Sequence, residues 1–426
     1  MYGAGIKDGE IEIKEQATKG EKMDKVYYAK AVYGKEEIKA VNNVLKNNLS
    51  LMDGARVKEF ENTVAWLFGK KYGVMVNSGS SANLLALSSL HLPKGKEVIT
   101  PALTFATTVA PIYQCGLIPH FVDVEFAEFI TNPELIEKAI NKNTVAIMVP
   151  NLLGNIADWK GIHKLAKKHK LKVIEDCADT CGYTYYESKN KTTGEYNDLV
   201  TTSFYASHII TAAGFGGMVC TNDKKLYNEL KLFRGWGRSS ALFNESEEID
   251  KRFNVKVDGI DYDSKFIFKE IGYNFLPSEI SAAFGLEQLK KLKWFKKARQ
   301  KNFESLEDFF RPYVDYAWVN GVGCKKNAST PMLSYPLVLA EKAPFTRKQL
   351  QTHFEKNGIQ ARTIFTGNIL RQPVMKGKKY KGSGYYPEAD HVMKNGILLG
   401  AHQGMTKEEI NYIKKVFTNF AKKYKK

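Results

Sequence analysis

From about residue 36 the chain alternates short β-branched apolar runs with stretches of helical periodicity, each run closed by a turn signal. That alternation is the pattern of a doubly wound α/β sheet, because a strand buried on both faces reads as a continuous apolar run and the next strand is reached through a crossover helix. Helices are expected over KEEIKAVNNVLKN, ARVKEFENTVAWLFG, SSANLLALSSL, FATTVAPIYQC, PELIEKAI and DWKGIHKLAKKHK. Strands are expected over YGVMVN, KEVITP, IPHFVDV, TVAIMVP, LKVIED, LVTTSFYAS and GMVCTN. Residues 238–268 have mixed charge and no sustained period, and read as a long loop that interrupts the domain without ending it. A long amphipathic helix, SEISAAFGLEQLKKLKWFKKARQKNF, then leads into strand MLSYPLVL, helix TRKQLQTHFEKNG, strand IQART and a closing helix KEEINYIKKVFTNFAKK. The organisation read from this is an N-terminal extension over 1–35, a large domain over 36–285 and a smaller C-terminal α/β domain over 286–426.

The length of 426 residues agrees with two cores, since a single core stops growing near ~250–300 residues. The net charge of +17 invites an anionic partner, or simply reflects a lysine-coated surface. No basic block interleaved with aromatics speaks for nucleic acid. The first residues lack the basic and apolar segments of a secretory signal, and no stretch approaches the roughly 18 apolar residues of a membrane span, so a cytoplasmic protein without a membrane partner is expected. Five scattered cysteines, Cys115, Cys177, Cys181, Cys220 and Cys324, fit free thiols in a reducing compartment. Cys177 and Cys181 lie close in sequence, but no second close pair completes a structural metal site.

Three strand ends carry groups that suit chemistry. Asn77-Ser78-Gly79-Ser80-Ser81-Ala82-Asn83 lies where a strand feeds a helix, so free amides and small hydroxyls there either hold a phosphate or only cap the helix. Glu175-Asp176 ends an apolar strand at the carboxyl edge of the sheet, with Asp179 just beyond; a carboxylate there can pair with a pyridinium nitrogen, ligate a metal or cap a turn. Ser203-Phe204-Tyr205-Ala206-Ser207-His208 delivers a hydroxyl and an imidazole into a glycine-bounded turn. Together the three ends hold the pieces of one phosphate-and-pyridine site.

The stretches NSGSSANLLAL, PALTFATTVAP, EDCAD, SFYASH with GGMV, RGWGR, GYNFLPSEISAAFGLEQL and GNILRQPV resemble the sugar aminotransferase family of pyridoxal-phosphate proteins, over nearly the whole chain. The resemblance implies the aspartate-aminotransferase-like architecture, fold type I, and a bound pyridoxal or pyridoxamine 5′-phosphate. In most members the position of His208 is a lysine bonded covalently to the cofactor, and between Thr192 and Asp223 this chain has no lysine. Imidazole cannot anchor the cofactor that way, yet it can move a proton near neutral pH. SFYxSH is similar to the 3-dehydratase branch, which removes the C3 hydroxyl of nucleotide-linked 4-keto-6-deoxyhexoses on the way to 3,6-dideoxyhexoses.

Carried over by position, the resemblance implies that Gly79, Ser80 and Ser203 bind the cofactor phosphate, that Asn274 reaches it from the other subunit of a homodimer, and that Phe105 stacks on the ring. Asp176 would pair with the ring nitrogen, and Asp179 would lie near the ring hydroxyl, where aminotransferases carry glutamine. His208 would act as the catalytic base, with L-glutamate as amine donor. Phe215 departs from the acidic residue common in relatives. A cysteine-bound iron–sulfur cluster, which one form of the branch carries, needs four thiolates, and Ser239, Ser240, Ala241 and Leu242 stand where its closely spaced cysteines would be, so no metal is expected. The alternatives are an iron–sulfur-dependent CDP-sugar enzyme, a nucleotide-sugar 4-aminotransferase, and a silent sugar-nucleotide binding protein.

Overall fold

The computed structural model describes residues 6–7, 10–11, 25–47, 50–182, 184–185, 192–243, 248–321, 328–330 and 332–424. Cys324 and most of the N-terminal extension lie outside these residues. Ten strands bear on the site: β1 Tyr72–Val76, β2 Glu97–Pro101, β3 Ile118–Val122, β4 Thr144–Pro150, β5 Lys172–Asp176, β6 Leu199–Ser203, β7 Gly217–Thr221, β8 Tyr335–Val338, β9 Lys381–Gly382 and β10 Gly396–Leu399. Eight form one sheet in the order β9-β3-β2-β4-β5-β6-β7-β1. Pairing is parallel from β9 to β6, while β7 runs antiparallel to both β6 and β1. The ends of β1, β2 and β4–β6 and the start of β7 therefore lie on one edge.

Successive strand residues feed two different cores, the direct result of the two-residue period of a strand. Met75, Ile99, Ile147, Val149, Val173, Val200 and Met218 pack on one face against α2 (Ala55–Leu67), α5 (Pro133–Ala139), α6 (Trp159–His169) and the start of α9 (Glu279–Asp315). Val74, Val98, Ala146, Met148, Ile174 and Val219 pack on the other against α3 (Gly79–Ser88), α4 (Ala106–Gln114) and α7 (Lys224–Arg234). Helix α1 (Lys35–Asn47) lies along α9. Burial on both faces is why these strands read as near-continuous apolar runs.

The 37-residue α9 passes through 285/286 without a break. Its second half, with α10 (Arg347–Lys356), α11 (Pro387–Asn395), α12 (Lys407–Ala421) and the antiparallel pair β8–β10, builds a third core that also takes in Leu103, Phe121 and Leu153 from loops and strands of the large sheet. Two local expectations are corrected. IQART is not a strand: Ile359 bridges Val26 and Arg362 bridges Leu398, so no ladder forms with either partner. Residues 238–268 are not a plain loop, since they contain α8 (Ile249–Phe253) and a hairpin pairing Val255–Val257 with Ile260–Tyr262. Among the described residues no helix is long and apolar enough to cross a membrane.

Candidate active site

The turn from β1 into α3 is built for close approach. Ser78 caps the helix by accepting the Ser81 amide at 3.1 Å. A Cβ on Gly79 would lie 2.5 Å from Ser203 Cβ and 2.9 Å from its hydroxyl, and one on Gly217 would lie 2.3 Å from the Ser78 carbonyl. Only glycine lets the helix start and the strand end touch. This brings the Ser203 hydroxyl against the start of α3, where Ser80 is exposed and the first amides have no partner within the helix, a combination that suits a phosphate.

Asp176 ends β5 fully buried. Its Oδ2 accepts Asn83 Nδ2 at 2.9 Å and the Thr108 hydroxyl at 2.9 Å, and its Oδ1 accepts the Ala178 amide at 3.1 Å. Asn83 is itself oriented by the Thr201 hydroxyl at 2.6 Å and donates to the Thr107 carbonyl at 3.2 Å. Burial pushes the Asp176 carboxyl up, opposed by the hydrogen bonds from Asn83, Ala178 and Thr108. Phe105 precedes α4 with 51% of its surface exposed, an apolar ring presented at the site edge. Its loop is held from the C-terminal part of the chain: Ile369 donates to the Ala102 carbonyl at 3.0 Å, and the Thr366 hydroxyl to the Thr104 carbonyl at 2.6 Å.

His208 lies in the turn after β6, its amide donating to the Tyr205 carbonyl at 3.0 Å and its ring edge-on to Tyr205 at 6.4 Å. The side chain keeps 17% exposure, so the imidazole is set deep but reachable. Its buried Nδ1 has no hydrogen-bond partner among the described residues, and Asp179 Oδ1 lies 3.8 Å away. Asp179 Oδ2 accepts the amide of Leu153 at 2.9 Å, and Leu153 adopts a left-handed φ of 61° to present it. Burial raises the Asp179 carboxyl to about 7, with Asp176 adding and the Leu153 amide and Arg299 opposing. Burial lowers the His208 imidazole to about 4, reinforced by the charge of Arg299. The base form is therefore the resting form at neutral pH.

All of Gly79, Ser80, Phe105, Asp176, Asp179, Ser203 and His208 lie at the carboxyl edge of the sheet. Asn274 is exposed in this chain and bridges Gly235, in a segment where the next carbonyl, that of Phe275, accepts the Asn77 amide. Asp179 turns its carboxylate toward His208, a pairing that its sequence position did not suggest. Sequence reasoning named Asn83 only as part of the candidate phosphate segment, not as a partner of Asp176, and passed over Thr108, Leu153 and Arg299. The signal was there for Asn83 and Thr108, polar residues on otherwise apolar helix faces, but nothing marked Arg299 among the many cations of its helix. Two lysines, the buried Lys70 and the half-buried Lys296, are committed elsewhere: Lys70 donates to the Asn197 carbonyl and Lys296 to the Gly182 carbonyl.

The pieces fit a phosphorylated pyridine cofactor held without a covalent lysine: a cradle that a Cβ would fill, a buried carboxylate, an exposed ring and an imidazole with an unpartnered nitrogen. Comparison with known proteins agrees. The DegT/DnrJ/EryC1/StrS aminotransferase family matches residues 32–418. The chain is 34% identical to the dTDP-4-dehydro-2,6-dideoxy-D-glucose 3-dehydratase of Saccharopolyspora spinosa, covering 88% of this chain and 82% of that protein. It is 35% identical to the GDP-4-keto-6-deoxy-D-mannose 3-dehydratase of Escherichia coli O55:H7, covering 89% and 96%. The solved structure of an E. coli GDP-4-keto-6-deoxy-D-mannose-3-dehydratase with bound hydrated PLP superposes with a TM-score of 0.81 at 32% identity, over 92% of this chain and 99% of that one. The chain belongs to the DegT/DnrJ/EryC1/StrS family.

Proposed function

We propose that this member of the family is a pyridoxal- or pyridoxamine-phosphate-dependent 3-dehydratase, which removes the C3 hydroxyl of a nucleotide-linked 4-keto-6-deoxyhexose with L-glutamate as amine donor. The observation that carries the reading is His208, an imidazole beside the cofactor cradle where a covalent lysine is the family habit. The bound cofactor supplies an electron-accepting ring and an exchangeable amine. The protein does the rest. Gly79, Ser80 and Ser203 hold the phosphate, joined by Asn274 of a second subunit in a homodimer. Asp176 keeps the ring nitrogen protonated, Asn83 and Thr108 orient Asp176, and Phe105 covers one ring face.

His208 takes up and returns protons through Nε2, with Nδ1 turned to Asp179. Once protonated, the same imidazole donates a proton to the departing C3 oxygen. The overall change balances: the sugar loses one oxygen, and glutamate leaves as 2-oxoglutarate and ammonia. A lysine at this position would hold the cofactor covalently, and the imidazole's inability to do so is what favours deoxygenation over amino transfer. Glutamate and nucleotide sugars are cytoplasmic metabolites, which supports a cytoplasmic enzyme.

The test is to incubate CDP-, GDP- and dTDP-linked 4-keto-6-deoxy sugars with enzyme, cofactor and glutamate and to weigh the products. A product lighter by one oxygen, with free ammonia, is expected. An amino sugar would move the assignment to an aminotransferase, and iron in the anaerobically purified protein would move it to the cluster-dependent form. Borohydride is expected to leave the cofactor unattached in the natural chain and to fix it in the His208→Lys variant.

A further inference from the structure

The turn that carries His208 is gripped by side chains from beyond residue 279. Arg299, in the middle of α9 and only 1% exposed, donates from Nη2 to the carbonyl of His208 at 3.3 Å and from Nη1 to the carbonyl of Leu333 at 2.7 Å. Gln403, in the loop before α12, donates to the next carbonyl, that of Ile209, at 3.3 Å. The contacts close on themselves. Leu333 donates its amide to the Leu153 carbonyl at 2.8 Å, Leu153 donates to Asp179 at 2.9 Å, and Asp179 stands 3.8 Å from the His208 ring.

Arg299 is buried without an ion pair among the described residues, and its Nε has no partner. Burying a guanidinium in this way is costly, burial lowering it to about 9 against the opposing charge of Asp179, and a fold needing only a bridge between two carbonyls has less costly solutions. The charge does have an object: its field reaches the Asp179 carboxylate and the His208 imidazole. A guanidinium also reaches two carbonyls of different segments with one planar fork, which a lysine ammonium on a flexible stem does less rigidly.

We propose that Arg299 is a positioning residue for His208: from α9 it fixes the peptide of the base and sets a positive charge facing Asp179, so that imidazole, carboxylate and guanidinium work as one unit. The proposal rests on the reading of His208 as base. The charged and titratable groups facing the imidazole are Asp179 from the loop after β5, Tyr205 from its own turn and Arg299 from α9, with Asp176 beyond Asp179 and His402 beyond Arg299. Gln403 assists at the neighbouring carbonyl.

The test begins on the full chain without cofactor. With 15N-histidine labelling, the His208 signal is the one lost in His208→Asn, and its titration is followed in Arg299→Gln, Arg299→Lys and Gln403→Leu. Removing the charge in Arg299→Gln is expected to raise the His208 midpoint by about one unit, since burial persists. Arg299→Lys and Gln403→Leu are expected to keep it low. In the loaded enzyme, Arg299→Lys and Gln403→Leu should lower turnover by about 10-fold or more, with KM and cofactor affinity little changed and no further loss in a His208→Asn background. A folded Arg299→Gln chain with unmoved titration and unmoved turnover overturns the proposal. Should that variant not fold, wild-type turnover in both Arg299→Lys and Gln403→Leu, or a loss that persists in the His208→Asn background, overturns it instead. A shifted titration in a protein that forms no deoxy sugar would sink the dehydratase reading and leave the coupling of Arg299 to His208 standing.

Discussion

Two residues 3.8 Å apart, Asp179 and His208, have had their proton affinities exchanged by burial. The carboxyl is raised from 3.8 to about 7 and the imidazole is lowered from 6.5 to about 4, so between these limits the carboxyl holds the proton of the pair. Above about pH 7 the carboxylate is free to stabilise the imidazolium that forms when His208 acts. The glutamate half-reaction should therefore slow as pH falls through about 7, and Asp179→Asn should remove that limb and lower the plateau; stopped-flow spectra across pH check both. The sign for stability is opposite. A carboxyl whose folded pKa is raised contributes stability at low pH that is lost as pH rises toward about 7. The lowered His208 imidazole acts the opposite way over much of the same range, so the effect is read as a difference: in urea unfolding of the cofactor-free chain between pH 5 and 7, the wild type should lose stability relative to Asp179→Asn. Asn83 acts on the neighbouring carboxyl. Asn83→Leu strips Asp176 of one donor and leaves Thr201 without its acceptor, at a cost of about 1–3 kcal/mol in thermal or urea unfolding, with weaker cofactor retention.

At the scale of elements, the site depends on how closely a helix start can approach a strand end. Gly79→Ala would force α3 and β6 apart, because no rotamer relieves a Cβ placed 2.5 Å from another Cβ. The expected result is a rise of at least about 10-fold in the cofactor dissociation constant with far-ultraviolet dichroism nearly unchanged, since the fault lies in the gap between elements and not within one. Helix α2 shows the same economy: the carboxylate of Glu279 accepts the amides of Gly54, Arg56 and Val57 at 2.9, 3.1 and 2.8 Å, so the start of α9 caps the start of α2. The strands and most helices were legible because their apolar periods are long and unambiguous. IQART was not, since its β-prone composition says nothing about whether one partner strand runs alongside it, and in the fold two different partners each take a single residue. The short helix and hairpin within 238–268 are stabilised by local pairs such as Arg252 with Asp263, which leave no period to read.

For the whole molecule, an exposed Asn274 and a net charge of +17 both look outward. If Asn274 completes the phosphate site of a second subunit, mixing two strongly impaired proteins, His208→Asn and Asn274→Asp, should restore activity in hybrid dimers, each with one intact site of two. Random exchange would give about a quarter of the wild-type rate, and no recovery after verified exchange would place Asn274 in its own subunit's site. The surplus of cations should make the KM for the nucleotide sugar rise with potassium chloride while turnover holds steady, as screening shortens the reach of the field. By itself the chain's sequence determined the α/β class, and it pointed to the carboxyl-edge location of the candidate site and to His208 as the proposed base, because periodicity and strand order decide where strand ends go and a missing lysine is visible in one dimension. Only the tertiary structure decided that Asp179 faces His208, that Asn83 and Thr108 hold Asp176, and that Arg299 reaches the base from α9. Those contacts join residues 29, 68, 91 and 93 positions apart, and which of many carboxylates, amides and guanidiniums meet is settled by how helices pack on the sheet, a choice no local pattern records.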